Sequence, residues 1–278
     1  MAKKKVRRTE PTIVYETLKA NRVALEALTS AAARLYHNVL HSRVLGQQAR
    51  RWFEHRGITR ATQCEWELGG APAARGWLTG KLSEVFTTVA LRHSGLIIFD
   101  EDTGDTYDRF RRRVIMPVRD AWGSTLSLTG RATDEVTYPK YAGTPNTIIF
   151  EKQNALYGID KALPSIIERG EALVVEGQLD VLTLHQEGIT NAVALMGTAL
   201  VKDHLHQLGR WCGRVTFLAD ADEGGFKALQ RAASWTRGKE LDVELKLVRM
   251  PEGDPDSFVR NYGAEEFRRK LDLWGSVA

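Results

Sequence analysis

Cysteine is nearly absent. Cys64 and Cys212 are the only two in 278 residues, and neither sits in a CxxC pair or beside a Cys/His ladder. That argues against a zinc module and a disulfide framework and fits a reducing compartment. Long apolar runs are missing as well: none approaches the ~20 residues that span a bilayer. The basic N-terminus has no apolar stretch of the kind a secretory signal carries. A cytoplasmic protein without membrane contact is the expectation. There is no internal repeat and no low-complexity tract. The seven tryptophans are scattered and form no evident base-stacking platform.

What is present divides unevenly. At 278 residues and 43% hydrophobic, the chain can bury one large core or two moderate ones. The net charge of +4 conceals a basic first segment, with 13 Lys/Arg against 4 Asp/Glu from Met1 to Arg60. A second basic block is Arg109-Phe110-Arg111-Arg112-Arg113. Such clusters favour polyanions, of which nucleic acid is the commonest in a cytoplasm.

Apolar spacing of three and four residues predicts helical structure from about Pro11 to Arg56, through Val14, Leu18, Val23, Leu25, Leu28, Ala32, Leu35, Tyr36, Val39 and Leu40. A shorter helix follows over Ser42 to Phe53, closed by Gly57. Glu65–Leu68 is a candidate strand, Gly69-Gly70-Ala71-Pro72 reads as a turn, and Trp77–Ala90 as a helix. Gly95–Asp100, Arg113–Val118 and Thr125–Thr129 suggest strands, the last two in an antiparallel meander. From Arg131 to Asn146 loop is expected, then a short strand at Ile148–Phe150 and a helix beginning at Asn154. Beyond residue 171 strands and helices alternate. The strands are Ala172–Val175, Ala192–Leu195, Val215–Ala219 and Leu241–Arg249. The helices are Gln178–Glu187, one opening at Gly197-Thr198 through Leu208, Gly224–Trp235, and a helical tail from Asp256 to Leu273. This is the signature of a parallel α/β sheet.

Carboxylates sit where those strands end: Glu176, the pair Asp220 and Asp222, and the pair Asp254 and Asp256. Ligands of open parallel sheets bind beyond the carboxyl ends of strands, and oxygen ligands there suit a hard cation. The pattern points to a magnesium site for phosphoryl or nucleotidyl transfer. Each carboxylate also has a plain reading as a helix cap or turn residue. Gly197-Thr198 and Gly224-Gly225 are read either as phosphate-receiving helix starts or as tight turns. His185, His204 and His206 are expected to be structural or surface residues.

The succession Glu176-Gly177…Asp180, Gly197-Thr198 and Asp220-Ala221-Asp222-Glu223-Gly224-Gly225 resembles the TOPRIM fold, which topoisomerases, primases and some nucleases share. VVEGQLDVLTLHQEGITNAVALMGTAL, LADADEGGFKALQRA and EGDPDSFVRNYG are similar to successive segments of bacterial DnaG-type primases. Upstream, HRGIT, YDRFRRRVIMPVRDAWG, GRATDEVTYPKY and FEKQNALYGIDKA resemble the same family's RNA-polymerase core. The resemblance covers about Ala32 to Leu271.

The resemblance implies an α/β fold: a TOPRIM parallel-sheet subdomain preceded by a helical and mixed α/β subdomain, with a short helical tail. The expected divisions are a basic disordered tip (1–10), a basic N-terminal subdomain (11–148), the TOPRIM subdomain (149–256) and a helical segment (257–278). It implies synthesis of short RNA primers from ribonucleoside triphosphates on single-stranded DNA, with an RNA–DNA hybrid as product. Glu176, Asp220 and Asp222 are the implied catalytic metal ligands, joined by Asp254 and Asp256, with Gly177 and Asp180 in support. Arg131, Lys140 and Lys152 match positions that bind template or incoming nucleotide. Arg56, Arg109, Arg111 and Arg113 suit the template backbone. Alternate residues of a strand face opposite ways, so not all of the last three are expected to touch it.

Mg²⁺, or alternatively Mn²⁺, is the implied cofactor, and no zinc is expected. A monomer is expected, with a replicative helicase and a zinc-binding module acting in trans as candidate partners. Two departures stand out. The family's zinc module and helicase-binding domain have no counterpart here, and Ala221 and Glu223 replace residues that are commonly glycine and neutral or basic. The rival readings are a nuclease-like TOPRIM enzyme and a non-catalytic module that binds single-stranded nucleic acid.

Overall fold

The computed structural model describes residues 10–235 and 242–274, with side chains from Asn21 onward except at 272. The basic tip before Glu10, the side chains of Val14 and Leu18, Leu241 and the last four residues lie outside that description.

The amphipathic N-terminal pattern becomes one helix, α1 (Glu10–His41). Leu25, Leu28, Ala32, Tyr36, Val39 and Leu40 are buried on its inner face, while Val23 is exposed rather than inward. Two short helices follow, α2 (Gln47–His55) and α3 (Arg60–Glu65), the latter started by the Thr59 hydroxyl accepting from Thr62 N–H at 3.2 Å. The strand expected at Glu65–Leu68 lies instead at β1 (Gly69–Ala71), where a turn was expected. The reason is close packing. A Cβ on Gly69 would lie 2.7 Å from Tyr36 Cβ, and one on Gly70 2.9 Å from Ala49 Cβ. These glycines admit neighbouring helices rather than bend the chain.

The single helix expected at Trp77–Ala90 is two, α4 (Trp77–Ser83) and α5 (Thr88–His93), divided where Thr87 caps the second by accepting from Ala90 N–H. A small hairpin, β2 (Ile97–Phe99) with β3 (Thr106–Asp108), leads into β4 (Arg113–Arg119), β5 (Thr125–Ala132) and β6 (Tyr141–Gly143). The sheet order is β1-β4-β5-β6, antiparallel throughout. β6 occupies a stretch read as loop, because the flanking Pro139 and Pro145 mask a three-residue strand. The strand expected at Ile148–Phe150 is only an isolated bridge between Thr147 and Phe150. The helix expected from Asn154 starts later: a 3₁₀ turn and β7 (Leu156–Tyr157) come first, then α6 (Ile159–Arg169).

The alternating half follows its periodicity closely. It runs β8 (Glu171–Val175), α7 (Gln178–Gln186), β9 (Ala192–Leu195), α8 (Lys202–Leu208), β10 (Arg214–Ala219), α9 (Glu223–Ala233), β11 (Glu244–Arg249), α10 (Pro255–Tyr262) and α11 (Ala264–Leu273). The order is β11-β10-β8-β9-β7, parallel except for β7 at the edge. Gly197-Thr198 does not open a helix. Gly197 turns the chain at φ +70°, and α8 begins at Lys202. No helix among the described residues is long and apolar enough to cross a membrane.

Strand alternation sets the cores. Ala172 and Val174 of β8 join Val193, Val215, Phe217 and Leu247 on one face of the parallel sheet. Leu173 and Val175 point the other way, into a cluster that also holds Val114, Met116 and Val118 of β4 and Leu179 and Leu182 of α7. Ile115 of β4 packs oppositely, with Tyr36 and Leu78. The two sheets therefore share one core, to which each fully buried aliphatic contributes about 1.5–3 kcal/mol. That shared core fixes β5 and β6 opposite the ends of β8 and β10.

The close approach at β1 predicts opposite effects for two glycine substitutions. Gly69→Ala overpacks against Tyr36 and should destabilise by about 1–3 kcal/mol. Gly80→Ala, in α4 with nothing within 4 Å of its added Cβ, should stabilise by about 0.5–1 kcal/mol. Denaturant unfolding midpoints that move in the same direction for both would contradict this packing.

Candidate metal edge and basic groove

The connectivity of the parallel sheet picks out one place on its edge. From β8 the chain crosses through α7 to β9 on one side, then returns through α8 to β10 on the other. Such a reversal opens a crevice between the two diverging strands at their carboxyl ends. Glu176 follows β8 and Asp220 follows β10, so both expected ligands stand at this switch point. Glu176 Oε1 accepts the Asp220 N–H at 3.1 Å, which ties the two strand ends together. Asp220 Oδ1 is buried with no hydrogen-bond partner. Burial first, then the charges of Glu176, Asp254 and Asp222, push the Asp220 carboxyl up to about 7. Burial and Asp222 also raise Glu176, against the opposing effect of the Asp220 N–H.

The flanking acids have divided duties. Asp222 is the N-cap of α9, its Oδ1 accepting from Gly225 N–H at 2.8 Å. Asp254 caps α10 in the same way, through Ser257 N–H at 2.7 Å, with Pro255 in the first turn. The plain reading of both as caps is therefore realised, each through one oxygen, while the charges of both still reach Asp220. Gly225 serves packing: a Cβ there would stand 2.3 Å from the Asp220 carbonyl oxygen. Only glycine lets α9 start this close to β10.

Asp180 and Asp256 form the layer beneath. Asp180 is buried, and its two oxygens accept from Gly177 N–H and Asp256 N–H, each at 3.0 Å. Burial, followed by Asp254 and Asp220, raises its carboxyl well above the ordinary range. Asp256 differs from the expected free ligand. It is 3% exposed, and its oxygens are taken by Arg260 (3.1 Å to each), by the Thr183 hydroxyl (2.7 Å) and by Arg56 at 3.5 Å. Among the described residues no three acidic, imidazole or thiol groups are drawn together tightly enough to enclose an ion.

A cleft of about 390 Å³ lies between this edge and the antiparallel sheet, lined by Glu176, Asp220, Gly197 and Lys152 on one side and Thr129 and Tyr141 on the other. Arg131 is 8% exposed, and its guanidinium carbon lies 5.1 Å from the ring centres of both Trp52 and Tyr141. Cation–π contacts of this kind hold a guanidinium in place without an acidic partner. Arg56 rests on the other part of this arrangement, 5.6 Å from the Trp52 ring. Trp52 and Tyr141 were not anticipated. The i, i+4 spacing of Trp52 in α2 and Arg56 at its C-terminal cap was the available signal. Lys140 and Lys152 are both exposed.

The arginine block departs from the alternation expected of a strand. β3 ends at Asp108 and β4 begins at Arg113, so Arg109–Arg112 belong to neither. Arg112 has φ +52°, rare for a residue with a side chain. Arg109, Arg111, Arg112 and Arg113 consequently all line one hollow of about 730 Å³. Two of them also have structural duties: Arg109 Nε donates to Gly95 O, and the largely buried Arg113 donates to Lys140 O at 3.2 Å.

The raised Asp220 pKa gives a pH dependence. In the unfolded chain an aspartate loses its proton near pH 4, about its ordinary value, whereas the folded protein holds it to about 7. Between those limits the native state binds more protons than the unfolded one, so stability falls as pH rises. The contribution is complete below about pH 4 and gone above about pH 7. The melting temperature of the metal-free protein should therefore fall from pH 5 to pH 8, and Asp220→Asn should flatten that fall. Parallel profiles for the two proteins in thermal melts would refute it.

Residues 35–163 match the family described as the DNA primase catalytic core, N-terminal domain, and residues 173–259 match the Toprim-like family. The chain is 36% identical over 252 residues to a DNA primase of Pseudomonas aeruginosa, a match covering 89% of this chain and 38% of that protein. It spans about two fifths of the length of the curated relatives it matches. Among solved structures it is similar to a DNA primase domain from P. aeruginosa, with TM-score 0.83 and 34% identity over 91% of this chain and 79% of that one. It is likewise similar to a DnaG primase catalytic domain bound to ssDNA, with TM-score 0.82 and 30% identity over 93% and 83%. A switch-point carboxylate edge facing a basic groove, in a chain matched in order along both halves, belongs to the DnaG-type DNA primase catalytic-core family.

Proposed function

We propose that this chain is the catalytic part of a DNA primase, joining ribonucleoside triphosphates into short RNA primers on single-stranded DNA. It is read as two parts, a basic subdomain over roughly 11–148 and a TOPRIM subdomain over 149–256. The observation that carries the reading is the buried, unpartnered Asp220 Oδ1 beside a cleft that Glu176, Asp220 and Lys152 line opposite Thr129 and Tyr141. A buried carboxylate oxygen without a donor is costly unless a cation completes it.

Glu176, Asp220, Asp222 and Asp254 would hold a divalent cation, Mg²⁺ or Mn²⁺. Magnesium is commonly bound by one or two carboxylates plus substrate phosphates and keeps several waters, so a closed protein cage is not required. Bound there, the cation would neutralise triphosphate charge and favour attack by a primer 3′-hydroxyl. Asp256 and Asp180 act as positioning residues, holding Gly177 and the start of α10 so that Glu176 and Asp254 keep their places.

The rest of the cleft binds and orients. Lys152, whose Nζ lies 4.0 Å from a Cβ built on Gly197, offers a mobile charge to a phosphate beside the carboxylates. Arg131, fixed between Trp52 and Tyr141, offers a rigid fork. Lys140, Arg56 and the arginine block continue the positive surface along which a single strand would lie, contacts that position a strand without reading its sequence.

Asp220→Ala should lower primer synthesis by well over 100-fold, since even outer-shell changes at metal sites cost about 10–100-fold. Binding of single-stranded DNA in EDTA should stay within about twofold. Labelled-ribonucleotide incorporation on a single-stranded template measures the first and fluorescence anisotropy the second. Near-normal incorporation by the variant would sink the assignment. Template degradation without incorporation would instead mark a nuclease.

A further inference from the structure

At the carboxyl ends of the parallel strands the chain presents its groups in sheet order. Gly197, with Lys152 beside it, follows β9; Glu176 follows β8; Asp220 and Asp222 follow β10; Arg249 closes β11. Lys152 and Arg249 therefore stand on opposite flanks of the carboxylates. Three strand spacings, roughly 14 Å, separate β9 from β11.

The β11 flank has a build of its own. Arg249 pairs with Ala219 in the ladder, one residue before Asp220. Its Nη2 donates to Ala221 O at 2.8 Å, and the Ala221 N–H donates to Gly253 O at 2.9 Å. Ala221, between Asp220 and Asp222, is thus fixed at both its N–H and its carbonyl. The Arg249 guanidinium carbon also lies 5.5 Å from the centre of the Phe226 ring, four residues past Asp222 in α9. Leu229 and Ala232 are the buried apolar side chains of that helix, whereas Phe226 is 42% exposed and joins none of the three cores.

Arg249 is exposed, and its described partners are a carbonyl and a ring, neither of them acidic. The acids in the adjoining turns have other partners. Asp222 and Asp254 cap helices, Glu223 meets Lys227 at 2.6 Å, and Glu252 accepts from the Tyr262 hydroxyl. A cation and an apolar ring are thereby left side by side in water, directly against the loop that carries the two aspartates. That pairing suits one nucleotide: a phosphate for the guanidinium, a sugar and base for the ring.

In phosphoryl transfer the attacking and leaving oxygens lie roughly in line, on opposite sides of the phosphorus. With Lys152 taking the phosphates of the incoming triphosphate on the β9 flank, the attacking strand arrives over β10 and β11. Resting on the primase reading, we propose that Phe226 and Arg249 grip the 3′ end of the growing RNA primer. The ring lies against the sugar and base edge of the terminal nucleotide, and the guanidinium holds the phosphate before it. The grip touches the RNA strand alone, because the groove that serves the template lies across the cleft. Such contacts are indifferent to sequence.

The test uses an RNA oligonucleotide annealed to a longer DNA template, with 4-thiouridine as the 3′-terminal residue, bound in EDTA without ribonucleotides. Ultraviolet cross-linking and peptide mapping should place the cross-link in the peptide that contains Phe226. By fluorescence anisotropy, Phe226→Ala should weaken binding of this hybrid about tenfold, within the range of one aromatic contact to a base. Its affinity for the single-stranded template alone should stay within about twofold, and Phe226→Tyr should bind the hybrid normally. Arg249→Ala should lower the salt slope of hybrid binding by roughly 0.7–0.9, one phosphate. In primer extension, Phe226→Ala should raise KM for the preformed hybrid and leave KM for the ribonucleoside triphosphate unchanged. An unchanged hybrid affinity, an equal loss for hybrid and single strand, or a cross-link on β6 would overturn the grip. Primer synthesis by the native protein is measured separately. Hybrid affinity that depends on Phe226 without any synthesis would refute the primase reading and leave the grip standing; synthesis with hybrid affinity indifferent to Phe226 would do the reverse.

Discussion

Gathering carboxylates at one end of a parallel sheet is unfavourable, and much of this molecule is arranged to withstand it. Burial first, then the neighbouring carboxylates, raises the proton affinity of Glu176 and Asp220. Separate devices offset that repulsion. Backbone N–H groups meet one oxygen of Glu176, Asp222 and Asp254, and hydrogen bonds to the ionised form favour it. Beneath them, Arg260 and Arg56 neutralise Asp256, which is too deeply buried to remain charged without partners. What remains uncompensated is one oxygen of Asp220, at the point where the sheet reverses its winding.

The basic groove is built against the same constraint from the other direction. Arg131 is nearly buried and is held by two rings rather than by an acid. An ion pair would have spent its charge; stacking keeps that charge for a ligand. Arg56 does both, resting on Trp52 and reaching Asp256. A chain of contacts thus runs from the groove through Trp52, Arg56 and Asp256 to Asp180 and Gly177, so the two walls of the cleft are fixed relative to each other by polar groups as well as by the shared core.

Legibility in the sequence followed the strength of local periodicity. The strands β8 and β9 and the helix α7 were readable to within a residue or so, because buried parallel strands are short continuous apolar runs with carboxylates at their ends. β1 and β6 were not, because glycine and proline carry turn meaning locally while the deciding contacts, Tyr36 against Gly69 and Arg131 against Tyr141, are distant in the chain. The same distinction holds at the site. That carboxylates would stand at strand ends followed from the alternation. That Asp256 would be consumed by Arg260, Arg56 and Thr183 did not, since it depends on α2 and α7 meeting α10. The arginine block was expected to alternate because it was taken as strand, and a single positive φ at Arg112 undoes that.

The cluster joining β4 to β8 has a bearing on how such a chain can change over time. Two families meet in it, one ending at residue 163 and the other starting at 173, yet Val114, Met116 and Val118 from the first half are packed directly among Leu173, Val175 and Leu179 from the second. Recombination at that junction would graft one half of the core onto a partner shaped for different side chains. Volume errors of a single methylene are felt in close-packed interiors, so a change of side-chain volume on one side of that junction must be absorbed by the half across it.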